Sequence, residues 1–265
     1  LLLSPGFILL LTFVHIPVVK TIYMSFFSTP KGRKPSKFKG IENYEHMFSD
    51  PIFWKVMSNN IVYAISTIPS SIIIAIIMAQ WVNSKLPGRP LLRFAYFLPV
   101  VLPLIAVGNI WLFFFLPGFG LIDQVGSLFG FQNTNILGNP DQVLWGIIVV
   151  SIWKESGFYM IFFLAALQGI PREMKEAAII EGANSWQMFY KITLPMITPT
   201  LLFVSVNAVI TAFTRIEHLF TMTGGGPNYN SALLLYYIYE NGFEFWDTAY
   251  AITLSVLLII LLSII

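Results

Sequence analysis

Residues 171–195 read PREMKEAAIIEGANSWQMFYKITLP, a helix–turn–helix with water-soluble chemistry set between two long apolar runs. Pro171 suits a first helical turn, where its missing N–H leaves no gap in the hydrogen-bond ladder. Glu173 and Glu176 favour the positive end of that helix. Gly182 fits the left-handed position that ends a helix, and Asn184 or Ser185 can cap the next one. The second helix places Trp186, Phe189 and Tyr190 on one face, at i, i+3 and i+4. Three rings on so short a helix need a packing surface: the protein's own bundle, the lipid interface or another protein.

The runs on either side are long enough to cross a bilayer, whose apolar core takes about 20 helical residues. Six segments qualify: 1–27, 56–82, 91–116, 142–167, 197–221 and 248–265. None shows the two-residue alternation of a barrel wall, so the fold class is all-α membrane protein, with six transmembrane helices. Composition agrees. The 265 residues are 56% apolar, 16% aromatic and only 11% charged, against about a quarter charged in soluble domains. Mean hydropathy is +0.74. No internal repeat or linker divides the chain, so 1–265 reads as a single membrane domain with a polar loop at about 168–196. It starts without Met and ends in an apolar run, so further chain is expected at both ends. The first apolar stretch lacks a basic flank and a small-residue cleavage site, and reads as a retained helix.

Loops 28–55, 117–141 and 222–247 share one side, and loops 83–90 and 168–196 the other. Lysine and arginine do not decide which side is cytoplasmic. The first set carries Lys31, Arg33, Lys34, Lys37, Lys39 and Lys55. The second carries Lys85, Arg89, Arg172, Lys175 and Lys191, with Arg93 close by.

Several chemistries find no support. Without cysteine there is no disulfide, thiolate metal site or cysteine nucleophile. His15, His46 and His218 are far apart, and no nucleophile–base pair or nucleotide loop is found. The net charge of +2 comes without a basic helix, so nucleic acid is not an expected partner. No cofactor is expected on this chain.

The stretch Glu176-Ala177-Ala178, three residues, Gly182, nine residues, Ile192-x-Leu194-Pro195 resembles the signature loop of permeases of ATP-binding-cassette importers. Five further stretches resemble the sugar and glycerol-phosphate branch of that family, on its maltose-permease-F-like side: Phe97-Leu98-Pro99, residues 117–122 (PGFGLI), Ile152-Trp153-Lys154, residues 166–171 (ALQGIP) and residues 223–227 (TGGGP). The resemblance implies a type I importer permease fold in a bacterial or archaeal cytoplasmic membrane. It implies a second homologous permease, two ATPase subunits that hold ATP and magnesium, and an extracytoplasmic solute-binding protein. The loop 168–196 would be cytoplasmic and would enter an ATPase groove through Glu176, Ala177, Ala178, Gly182, Trp186, Phe189, Ile192, Leu194 and Pro195, with loop 28–55 outside. The chain lacks the maltose permease's extra spans and external domain, so maltose is not implied. The cargo is expected to be a sugar or oligosaccharide, with glycerol-phosphate or another anionic polyol as the alternative. An ion-coupled secondary transporter is the alternative from another class, but it gives the Glu-Ala-Ala loop no role.

Polar residues inside the spans mark the candidate path. Lys154 and Glu155 each cost about +2.5 to +3.5 kcal/mol in a lipid-facing helix, which leaves the fourth span marginal alone. Such charges mark functional sites or pair structurally. In the fifth span Asn207, Thr211, Thr214, His218 and Thr221 follow at steps of 4, 3, 4 and 3, one face of a helix, with Arg215 and Glu217 beside it. That stripe reads as a wall of the substrate path or as a helix–helix seam. Tyr250 on the sixth span is a candidate stacking partner for a sugar. A weaker stripe in the second span, Asn59, Tyr63, Ser66 and Ser70, reads as packing.

Overall fold

The computed structural model describes residues 3–30, 32, 35–84, 88–130 and 135–264. Lys31, Arg33, Lys34 and Lys85 of the basic loops, and the outermost residues 1, 2 and 265 of the terminal spans, lie outside the described residues. Among the described residues the architecture is helical, with one isolated bridge between Phe27 and Phe38. Ser4–Met24, Pro51–Asn83, Val143–Gln168 and Ser185–Met222 are each long and apolar enough to cross a membrane. Arg89–Val101 and Leu104–Phe114 are long and apolar enough only when taken together as one bent pair, and Thr248–Ile264 is a shorter apolar helix.

The chain forms two compact units. The larger covers 61–224. Its core lies where the second, fourth and fifth spans meet, around Ala75, Ala79, Tyr159, Phe163, Ile197 and Val204. Small residues let the second span approach closely, as packing between membrane helices requires. The fourth span is buried along most of its length, as its two charges demand. The third span departs from the expected single helix over 91–116. It breaks between Val101 and Leu104, and its halves meet at 104°. The cause is in the sequence. Pro103 has no N–H for the carbonyl of Pro99 four residues back, so the ladder opens there.

The fifth span also departs from expectation. The α-helix Leu194–Thr214 ends at Arg215, whose backbone is extended, and a separate short helix, Glu217–Met222, follows. Neither glycine nor proline stands at this break. The short helix packs on Leu104–Phe114, where a side chain at Gly108 would overlap Thr221.

The smaller unit covers 1–60 and 225–265. The sixth span packs there against Ile16–Met24, Glu42–Ser49 and Leu234–Tyr239. The glycine-rich turn is tied to the start of the second span. Lys55 donates to the Asn228 carbonyl (2.6 Å), and Asn59 donates to those of Tyr229 (2.7 Å) and Ala232 (3.1 Å). Asn60 Oδ1 accepts from the Leu234 N–H (2.9 Å).

Candidate functional site

The loop 171–195 folds as its sequence chemistry dictates. Arg172–Ile180 is helical, and Gly182 follows with φ +78°. The Ala183 N–H bonds the Ala178 carbonyl (2.9 Å) and the Gly182 N–H that of Ile179 (3.0 Å), the paired bonds of a Schellman end. Asn184 then caps the next helix. Its side chain accepts from the Gln187 N–H (2.8 Å), and the Gln187 side chain accepts from the Asn184 N–H (2.9 Å). The second helix is not separate from the membrane, as the spacing suggested. Ser185–Met188 runs through a π-helical turn, Phe189–Thr193, into the fifth span at Leu194 and Pro195.

Trp186 and Tyr190 contact each other at 4.7 Å between ring centres, and both are exposed. Phe189 turns inward against the core, so the three rings divide their work. Ile179 and Ile180 are also exposed beside Gly182, whereas Ala178 is buried. Glu176 and Ala177 lie on the exposed side, and Ile192 is half-buried. Gly182 has open space where a Cβ would stand, so its backbone angle, not crowding, requires glycine.

A second cluster lies deep in the same unit. The Lys154 ammonium donates to the carbonyls of Pro99 (2.7 Å), Leu102 (2.7 Å) and, more weakly, Val100 (3.4 Å). These belong to the broken third span, and the Pro99 carbonyl is the one Pro103 cannot serve. A cation at a helix C-terminus also meets the negative end of its dipole. Lys154 therefore closes the break. One residue on, Glu155 pairs with Arg215 at 2.8 Å. The extended backbone at Arg215 carries its side chain out of the fifth-span helix to reach Glu155. Ser151, one turn before Glu155, accepts from the Tyr63 hydroxyl (2.8 Å) and lies 3.0 Å from His218 Nε2.

The polar stripe of the fifth span is thus divided. Asn207, Thr211 and Thr214 belong to one helix, and His218 and Thr221 to the next. His218 is buried at 1% exposure, held towards Ser151. Thr211 bonds Tyr159, Thr214 is exposed and bonds back to the Ile210 carbonyl (2.7 Å), and Glu217 is exposed in a first helical turn. Tyr63, Thr67, Ser71, Ser151, Glu155 and Thr211, with Ile68, Ala208 and Ala212, line a small cavity of about 10 Å³, the room of about one water. Glu155 Oε2 and Ser71 Oγ are buried there with no hydrogen-bond partner among the described residues. The inward polar face of the second span is therefore Tyr63, Thr67 and Ser71, not the series 59, 63, 66 and 70. Ser151, Thr67 and Ser71 were not singled out from the sequence. A helical step of four from Tyr63 to Thr67 and Ser71 is the signal that could have found two of them.

Tyr250 lies in the smaller unit. Its hydroxyl and that of Tyr237 both donate to Asp50 Oδ2 (2.6 and 2.7 Å). Burial pushes the Asp50 carboxyl up. The two hydroxyls and the backbone N–H groups of Ile52 and Phe53 outweigh it and hold the group below the usual carboxylate range. A depressed carboxylate stabilises the fold above its unfolded-state pKa and loses that contribution as pH falls through its folded value. Asp50→Asn should therefore lower the melting temperature of the purified protein at pH 7, by the equivalent of about 2 kcal/mol for the charge-assisted bonds lost. Thermal unfolding at pH 7 and pH 3 checks this, and the gap between the two proteins should narrow at pH 3.

Comparison with known proteins fits this geometry. Residues 71–265 match the model of the family described as "Binding-protein-dependent transport system inner membrane component". The chain is 34% identical to the sulfoquinovosyl glycerol transport system permease protein SmoG of Agrobacterium fabrum, over 97% of this chain and 84% of that protein. It is 32% identical to the multiple sugar-binding transport system permease protein MsmF of Streptococcus mutans, over 97% and 89%. Its fold matches a chain in the crystal structure of a bacterial ABC transporter that imports the acidic polysaccharide alginate. The TM-score is 0.85 at 23% identity, covering 100% of this chain and 90% of that one.

Proposed function

We infer from one premise, that the chain belongs to the binding-protein-dependent transport system inner membrane component family, that it is a permease subunit of a carbohydrate importer in the cytoplasmic membrane. It is a transport subunit and not an enzyme. A second permease completes the path, two ATPase subunits hydrolyse ATP, and an extracytoplasmic binding protein delivers the cargo. We propose that ATP and its magnesium are held by those ATPase subunits and by no residue of this chain.

The observation that carries the reading is the loop around Gly182. It joins two spans, is rigid at its turn and its cap, and leaves Ile179, Ile180, Trp186 and Tyr190 exposed. An apolar knob of this kind on a rigid stem suits docking into a groove of an ATPase, and movement there reaches the fifth span through one continuous helical path. Along that path stand Asn207, Thr211, Thr214 and, beyond the break, His218, buried in this structure against Ser151, and we assign these four to the cargo route. The Lys154 ammonium is engaged by carbonyls and the Arg215 charge is balanced by Glu155, so neither is an unpaired cation awaiting an anionic cargo. This favours a neutral sugar over glycerol-phosphate.

The test is sugar uptake by the reconstituted transporter with its binding protein. Thr214→Ala and His218→Ala should each reduce uptake by about tenfold, equivalent to one lost hydrogen bond of roughly 1.4 kcal/mol, while assembly and basal ATPase activity stay close to normal. If both variants instead separate the permease pair, with uptake per assembled complex unaltered, these residues form a packing seam.

A further inference from the structure

The third and fourth spans enclose a groove that the transport reading leaves without a use. They run antiparallel and are pinned at one level. A side chain at Gly157 would overlap the Tyr96 carbonyl, and Lys154 is bonded to Pro99 a turn away. From that crossing the helices separate towards the 83–90 and 168–196 loops and open a cavity of about 770 Å³. Its lining is graded. Phe97, Met160 and Ile161 line it near the crossing, Arg93 stands about level with Met160, and Arg89 and Gln168 line its end towards the loops.

Arg89 and Arg93 are four residues apart on one helix, so their side chains leave from one face, about 6 Å apart along the axis at the backbone. Both are exposed, and among the described residues neither makes an ion pair. Two forked donors without a carboxylate match a phosphate bidentately, and the apolar depth behind them matches an acyl chain. Free phosphate would use the mouth alone and leave the apolar depth to water. A lipid uses both, and basic pockets between membrane helices on the cytoplasmic side are known to take anionic head groups.

We propose that this groove binds one anionic phospholipid, its phosphate on Arg89 and Arg93 and an acyl chain between the third and fourth spans. The leaflet, cytoplasmic, rests on the function proposed above; occupancy of the groove does not, so the two readings fail separately.

The test uses the assembled transporter in nanodiscs of phosphatidylcholine with phosphatidylglycerol, followed by native mass spectrometry. The wild type should retain at least one more phosphatidylglycerol per complex than the double variant Arg89→Gln/Arg93→Gln, with phosphatidylcholine retention unchanged. Equal phosphatidylglycerol retention overturns the proposal. A second measurement leaves both arginines in place. A photo-crosslinking residue at Ala165, on the groove wall, should capture phosphatidylglycerol. Capture of the second permease with no lipid adduct would make the groove a protein contact and overturn the proposal.

Discussion

Replacing Lys154 by Met should destabilise the protein by a few kcal/mol and lower the amount of folded protein recovered from the membrane. The substitution keeps the length and apolar stem of the side chain and deletes only the ammonium. The buried carbonyl of Pro99 and the part-buried carbonyl of Leu102 then lose their short bonds. A buried acceptor left unpaired costs about 1–3 kcal/mol, which applies to the Pro99 carbonyl, while the part-buried Leu102 carbonyl adds less. Whole-domain stability is only about 5–15 kcal/mol. Size-exclusion profiles and thermal unfolding of detergent-solubilised protein measure the loss. Lys154→Arg, which keeps the donors, should recover part of it. A Lys154→Met protein that is normally abundant and stable but transports nothing would show instead that the ammonium serves the cargo.

Gly182→Val should leave the transporter assembled in the membrane and abolish its coupling. The φ of +78° places this residue where a β-branched side chain is a severe outlier, at about 1–2 kcal/mol or more. A Cβ meets nothing there, so unfolding is not expected. The chain relaxes by moving the turn, which displaces Ile179, Ile180 and Trp186. Stimulation of ATPase activity by the loaded binding protein should fall by at least about tenfold, the effect of a 1.4 kcal/mol misfit. Gly182→Asn supplies the control. Asparagine enters the left-handed region more readily and should retain much of the coupling. Wild-type stimulation in the valine protein would remove the loop from the coupling path.

The loop was legible in the sequence because every determinant there is local. A glycine after a helix, a cap residue and a Gln three positions on specify their bonds within a few residues. The spans were legible because hydropathy reports burial in lipid whatever the tertiary fold. The break of the third span was written in Pro99 and Pro103, but an apolar window reads straight through it. The partner that makes the break tolerable is Lys154, 55 positions from Pro99, and local chemistry does not connect the two. The stripe Asn207–Thr221 failed as a single face because its steps of 4, 3, 4 and 3 assume a continuous helix, and Arg215 leaves helical geometry to meet Glu155, 60 positions away. Tyr63, Ser151 and His218 form a hydrogen-bonded series across separations of 88 and 67 residues. No periodicity contains such a series.

The bond between Lys154 and the broken third span also constrains how the protein is made. At about 1.5 Å per residue the 13 residues of Arg89–Val101 extend roughly 20 Å, short of the bilayer core of about 30 Å, and the chain then turns away. Emerging from the ribosome, this segment carries bare carbonyls that nothing yet synthesised can serve. The segment that serves them arrives about 50 residues later and is itself too charged to enter lipid easily alone. Each has what the other lacks. The two segments are therefore stable in lipid as a pair rather than one at a time.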